Sequence, residues 1–375
     1  MTQRLFIPGP TPIPDEVQAA MVGPIVYHRG PEFPDLLTGV VEDAKQLFPT
    51  DNDLFLVSSS GTGAMEAAVV NTLSPGDRVV VAQAGNFGAR WSNICNAYGI
   101  DVVEIEGEWG TSVDPRRVSE VAAESSVKAV LTTHSETSTG ALHDVAAIGE
   151  AIRDQDVLLI VDGVSSICAH ELNTSSFGVD VALTGSQKGL GLPPGLAAIT
   201  FSERALKANE TATCPRFYFD IAKYRASLAE GRGPATLPVT LISGLRAALD
   251  LILEEGIQNV WGRHARQAQS VREAIWAIGL TCFAKQPSNA LTAVALPESV
   301  DGLELMDRLR QAYGAVVGGG LAHLRGRVIR ISNLGFVADD DIRFIITALE
   351  ESLSAVGYRF DRGTAIEATD RVLSQ

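Results

Sequence analysis

The chain has 375 residues and carries 45 acidic against 30 basic side chains, a net charge of −15. That balance argues against nucleic acid and anionic membrane surfaces as partners. With 46% hydrophobic residues and a mean hydropathy of +0.13, the composition is that of a globular protein, long enough for one large and one smaller domain, and no apolar run approaches a membrane span.

The first ten residues, through Pro8-Gly-Pro10, lack the apolar core of a secretion signal, so a cytosolic protein is expected. Leu54–Val57 reads as a buried strand that runs into Ser60-Gly61-Thr62-Gly63 and then into a helix with apolar residues at helical spacing. That turn aims free backbone N–H groups and two hydroxyls at one point, which suits a phosphate, although serine and threonine before a helix are ordinarily N-caps. Further short Val/Ile/Leu-rich runs follow at Arg78–Gln83, Asp101–Ile105, Lys128–Thr133, Asp156–Val161, Asp180–Leu183 and Leu196–Phe201. Between them lie helical patterns such as Pro115–Ala123 and Val145–Arg153, and this alternation predicts an α/β fold, a mainly parallel seven-stranded sheet between helices. Helices are expected from Pro238 to about Glu255 and from Ile257 to Ala277. Strands near Leu291–Leu296 and Val328–Ile331, with helices near Gly302–Tyr313 and Asp339–Val356, predict a small α+β domain. The expected division is an N-terminal segment over 1–16, a large domain over 17–255 and a small domain over 256–375. The tail from Asp361 reads as frayed or peripheral. Cys95, Cys168, Cys214 and Cys282 lack metal-type spacing and read as reduced, mostly buried thiols.

Two residues carry the chemistry. Asp162 ends one apolar strand, and Lys188 follows another within Thr184-Gly-Ser-Gln-Lys188-Gly-Leu-Gly-Leu-Pro-Pro-Gly195. A lysine that forms a Schiff base with pyridoxal phosphate, and an aspartate that keeps the pyridine nitrogen protonated, are the pair that this cofactor needs. Taken singly, either is ordinary: a surface lysine at a strand end, a carboxylate at a helix cap.

The ordered series of segments resembles the class V, fold-type I aminotransferases, and within them the alanine–glyoxylate and serine–glyoxylate (serine–pyruvate) group. The matching stretches are Pro8-Gly-Pro10, Ser60-Gly-Thr-Gly-Ala-Met-Glu-Ala, Pro75-Gly-Asp77, Gly85-Asn-Phe-Gly-Ala-Arg90, Thr133-His-Ser-Glu-Thr137-Ser-Thr-Gly140, Val161-Asp-Gly-Val164, Gly185-Ser-Gln-Lys188, Pro193-Pro-Gly195 and Val328-Ile-Arg330-Ile-Ser-Asn-Leu-Gly335. The resemblance implies roles for particular residues. Lys188 and Asp162 would be catalytic, with Ser60, Gly61, Thr62 and Gln187 around the phosphate. Phe87 stands where the family places an aromatic ring against the pyridine, Val164 on its other face, and Thr137 near the phenolic oxygen. Thr236 matches a residue that reaches the phosphate from the neighbouring subunit of a homodimer with shared sites. The family often has a tyrosine three places earlier, where this chain has Gly233.

Arg330, an arginine inside an apolar strand, matches the grip on the substrate α-carboxylate; the plain alternative is an internal ion pair. Gly9, His28 and Arg29 match the mouth of the site, and His28 and Arg29 would read a substrate group or a phosphate, or cap the dimer surface. The implied reaction is ping-pong transfer of an amino group from a small amino acid such as alanine or serine to glyoxylate or pyruvate. A specialised donor (ureidoglycine, aspartate, pyridoxamine or aminoethylphosphonate) is the alternative. A desulfurase or lyase is less favoured, because Gly318-Gly-Gly-Leu-Ala-His-Leu-Arg-Gly-Arg327 holds no cysteine. A non-enzymatic subunit is disfavoured because Lys188 and Asp162 are both kept.

Overall fold

A computed structural model describes residues 3–375. Seven strands form the larger sheet in the spatial order Asp53–Val57, Ala197–Phe201, Val181–Gly185, Leu158–Asp162, Val127–Thr133, Arg78–Gln83 and Asp101–Glu106. Ala197–Phe201 is antiparallel to both its neighbours and every other pairing is parallel, so the predicted mainly parallel sheet is present. The inner strands are buried along their whole length because helices cover both faces, which is why they read as unbroken apolar runs. Chain reversal across a mostly parallel sheet leaves a crevice at the carboxyl ends of the strands. Asp162 is the last residue of its strand, and Lys188 lies just beyond Val181–Gly185.

A second, five-stranded sheet runs in the order Arg4–Phe6, Ala315–Gly319, Val328–Ser332, Leu291–Ala295 and Thr281–Cys282. Arg4–Phe6 pairs parallel with Ala315–Gly319, which stitches the start of the chain to this sheet and sends Pro8 and Gly9 toward Lys188. Gly318 and Gly319 pair with Arg330 and Ile329. Glycine suits that place: a Cβ on Gly318 would lie 3.1 Å from Pro8 and 3.4 Å from the Arg330 side chain.

The tail corrects the sequence expectation. Thr364–Leu373 is a helix that buries Ala365, Ala368, Thr369 and Leu373 against the long helix Ile257–Ala277. Arg343 Nε donates to Asp370 at 2.7 Å, and Arg266 Nη1 donates to the Leu373 carbonyl at 3.0 Å. The spacing of the small buried residues is helical, and the alternating charges around them lie on the solvent face. Among the described residues, no helix is long and apolar enough to cross a membrane.

Candidate active site

The crevice at the strand ends holds a cavity of about 270 Å³. Lys188, Asp162, Ser60, Gly61, Thr62, Phe87, Thr137, Val164, Gln187 and Gly9, ten residues named from sequence, line it together. Each arrives at the end of a sheet strand or on a segment folded over one.

The turn before helix Gly61–Thr72 does not behave as an ordinary cap. Ser60 makes no side-chain capping hydrogen bond, so its hydroxyl is free, and the helix offers its first N–H groups to the cavity. Gly61 is needed for the approach of its neighbours: a Cβ there would lie 2.4 Å from Val164 Cγ2. Gln187 Oε1 is buried with no hydrogen-bond partner, a polar end that calls for a ligand.

Lys188 is pinned by the N-terminal segment. Its Nζ donates to the Pro8 carbonyl, the Thr11 hydroxyl donates to the Lys188 carbonyl at 2.7 Å, and a Cβ on Gly9 would lie 2.7 Å from Lys188 Cδ. Burial pulls the lysine pKa down to about 8; Asp162 opposes that shift, while Arg330 and Arg90 add to it. The Asp162 carboxyl is pushed up to about 6 by burial, against the pull of the Val164 N–H, which donates to Oδ1 at 2.8 Å. Neither group has an ion-pair partner within 4 Å among the described residues. Both charged forms are therefore destabilised, and a cationic ring nitrogen beside Asp162 would relieve its share.

Arg330 reaches the edge of this site from the smaller sheet and is 8% exposed. Its Nε donates to the Gly319 carbonyl at 2.8 Å and its Nη1 to the Thr137 carbonyl at 2.9 Å. No carboxylate pairs with it among the described residues, so the internal ion pair weighed from sequence is absent. Two carbonyls hold the guanidinium in place while its Nη2 edge stays available for an anion.

His28, Arg29 and Thr236 are not brought to Lys188 within one chain. His28 and Arg29 line a separate cavity of about 300 Å³ with Ser227, Glu230, Arg232 and Gly233. Thr236 does not line it but stands beside it, its Oγ1 3.4 Å from His28 Nε2. Arg90 went unassigned in the sequence although it sits in the Gly85–Arg90 stretch. It lines the Lys188 cavity, donates from Nη1 to Thr62 Oγ1 at 2.8 Å and lies over the Phe87 ring at 4.9 Å. Its spacing of three from Phe87 at a helix start was the available signal.

A family model of the aminotransferase class-V type matches residues 6–336. The chain belongs to the class V aminotransferases. This aminotransferase is 40% identical to the L-aspartate–glyoxylate aminotransferase of Paracoccus denitrificans, over 97% of this chain and 94% of that one. It is 38% identical to a serine–glyoxylate aminotransferase of Methylorubrum extorquens over 99% and 96%. A protein named soluble hydrogenase, small subunit, from Synechococcus is 40% identical over 99% and 98%. Among solved structures, ureidoglycine–glyoxylate aminotransferase from Bacillus subtilis superposes with a TM-score of 0.96 at 29% identity, covering 100% of this chain and 99% of that one. The cofactor of this fold-type I family is pyridoxal phosphate, and the free Ser60 hydroxyl, the unpartnered Gln187 and the unpaired Asp162 and Lys188 fit it.

The depressed lysine pKa gives the class V aminotransferase a pH signature in its cofactor-free form. Lys188 near 8 in the folded chain, against about 10.5 unfolded, means that the unfolded chain binds more protons between those values. Its contribution to stability is present above about 10.5 and is lost as pH falls through about 8. Urea unfolding of the cofactor-free protein and of Lys188→Met should show wild type gaining stability relative to the variant from about pH 8 toward pH 10.5; a difference that stays flat across that window would contradict the buried-lysine assignment.

Proposed function

We propose that this aminotransferase moves the amino group of a small amino acid, alanine, serine or a similar donor, to glyoxylate or pyruvate in two half-reactions at one site. The observation that carries the reading is the buried, carboxylate-free Arg330 set beside a Lys188–Asp162 pair. Glyoxylate as acceptor is supported by the names of the aspartate, serine and ureidoglycine enzymes above, which share it and differ in donor.

The residues divide the work. Bound pyridoxal phosphate supplies a ring that takes up the electron pair left on the donor α-carbon. Ser60, Gly61, Thr62 and Gln187 hold the phosphate, and Arg90 steadies Thr62 from outside. Phe87 and Val164, which line the cavity, would confine the ring, and Thr137 would serve its phenolic oxygen. Asp162 keeps a proton on the ring nitrogen, an electrostatic contribution that burial strengthens. Lys188 Nζ anchors the cofactor and, when released, carries the proton from the donor α-carbon; a pKa near 8 suits a base working close to neutrality. Arg330 fixes the α-carboxylate. Pro8 and Gly9 cover Lys188 and narrow the access of water. With Lys188, Asp162 and a vacant cation all retained, the chain is equipped to catalyse and not only to bind. The four unpaired cysteines suit a cytosolic location.

A shared site in a homodimer accounts for the remaining residues. His28 and Arg29 line a cavity away from the chain's own Lys188, and Thr236 stands against His28 there, so a phosphate that Thr236 touches would belong to a neighbour. The segment leading to His28 exposes Val22 (85%), Ile25 (74%) and Tyr27 (62%), apolar surface that a second copy would cover.

Initial rates measured over a grid of donor and glyoxylate concentrations, for a panel of amino donors, test the reaction. Parallel double-reciprocal lines are expected for the preferred donor, and Arg330→Lys should weaken both amino and oxo acids by roughly 1–3 kcal/mol while leaving cofactor retention intact. Intersecting lines, or a variant that loses cofactor and keeps substrate affinity, would contradict the assignment. Sedimentation at falling protein concentration tests the dimer. Cofactor should hold the dimer together and Thr236→Val should loosen cofactor without lowering subunit stability, whereas a fully active monomer would rule out the shared site.

A further inference from the structure

The loop that carries Phe87 has an unusual support. Three successive backbone N–H groups at the start of helix Gly88–Ala97 point at the hairpin of Ser135–Glu136 and Ala141–Leu142. Asn86 N–H donates to Ser138 Oγ at 3.0 Å, and Phe87 and Gly88 N–H both donate to Glu136 Oε2, at 2.9 and 2.8 Å. The other carboxylate oxygen, Oε1, accepts from the Ser138 N–H at 3.0 Å and from the Ser138 hydroxyl at 2.5 Å. Four of these five contacts donate to Glu136, whose residue is fully buried (0% exposed), and an acceptor-only carboxylate at a helix N-terminus satisfies those four together.

The backbone is shaped around that carboxylate. A Cβ on Gly85 would lie 2.5 Å from both Glu136 Cγ and Cδ, so only glycine lets the two segments meet. The residue that follows Glu136 ties in the other half of the site, since the Thr137 carbonyl accepts from Arg330 Nη1 at 2.9 Å. One short loop thus touches the aromatic loop on one side and the arginine from the smaller sheet on the other. Glu136 lines no part of the Lys188 cavity itself.

We propose that Glu136 is a positioning residue that sets the Phe87 ring against the cofactor and, through the neighbouring Thr137 carbonyl, fixes where that ring stands relative to Arg330. The inference rests on the reading of Phe87 as the ring that faces the cofactor. Gln at 136 keeps the size but puts an N–H₂ either against the Phe87 and Gly88 N–H pair or against the Ser138 N–H and hydroxyl, so one side of the clasp loses its acceptor.

The test is a double-mutant cycle on holoenzyme with Glu136→Gln and Phe87→Leu, read by the rate of cofactor release to a scavenger and by the visible circular dichroism of the bound cofactor. If Glu136 acts through Phe87, each single variant releases cofactor roughly tenfold faster and loses dichroism, and the double variant is no faster than Phe87→Leu within about twofold. Effects that multiply in the double variant would make Glu136 a general structural support and overturn the proposal. An effect of Phe87→Leu with none from Glu136→Gln would also overturn it, while no effect of Phe87→Leu would instead remove the reading of Phe87 on which it stands. Should Glu136→Gln not fold, Ser138→Ala, which removes the acceptor of Asn86 N–H and one donor to Glu136, enters the same cycle with the same expected and contrary outcomes.

Discussion

Three ionisable side chains, the buried Asp162 and Arg330 and the half-buried Lys188, surround one crevice without an ion pair among them or with any other described residue. Burying a charge without a partner costs several kcal/mol even after relaxation. Such an arrangement suits ligands that complete it, and in the proposed reading these are a cationic ring nitrogen for Asp162, an aldehyde for the Lys188 amine and a carboxylate for Arg330. The shifts follow from that one constraint: burial drives the lysine to about 8 and the aspartate to about 6, each toward its neutral form. Instability in the empty site is the counterpart of affinity in the filled one.

The architecture serves to bring these groups together from distant parts of the chain. Parallel strands deliver Asp162 and the turn before Lys188 to the same edge of the larger sheet. Arg330 comes from the smaller sheet, where its flanks, Ile329 and Ile331, are buried in that sheet's own core. The N-terminal strand Arg4–Phe6 belongs to the smaller sheet too, yet the residues after it lie on Lys188. The site therefore exists only when both sheets are in place, and the hairpin around Glu136 and Thr137 is where their contributions are tied together.

Much of this was readable in the chain. Apolar runs of strand length alternating with helical periods announce the larger sheet because its strands are covered on both faces, and Ser60 to Thr62, which alone would read as an N-cap, stand out because Asp162 and Lys188 follow them in order. The frayed reading of the tail missed a helix whose buried face consists of alanines, a threonine and one leucine, too weak a stripe to register against its charges. Glu136 was hidden for another reason: the helix-start N–H groups it accepts from, Phe87 and Gly88, lie 49 and 48 positions away, and a glutamate in a polar stretch carries no mark of burial. His28, Arg29 and Thr236 could be grouped with the site only by resemblance, and one chain holds them together but apart from Lys188. What the sequence shows poorly, in each case, is an approach between segments that neither segment encodes alone.

In the proposed reading Lys188 is the residue that carries the cofactor. Borohydride reduction of the purified, cofactor-loaded protein followed by peptide mass mapping tests it directly. The account predicts a single pyridoxyl group, on Lys188, and its disappearance when Lys188 is replaced by alanine. A label on another lysine, or none in a protein that still turns over, would contradict it.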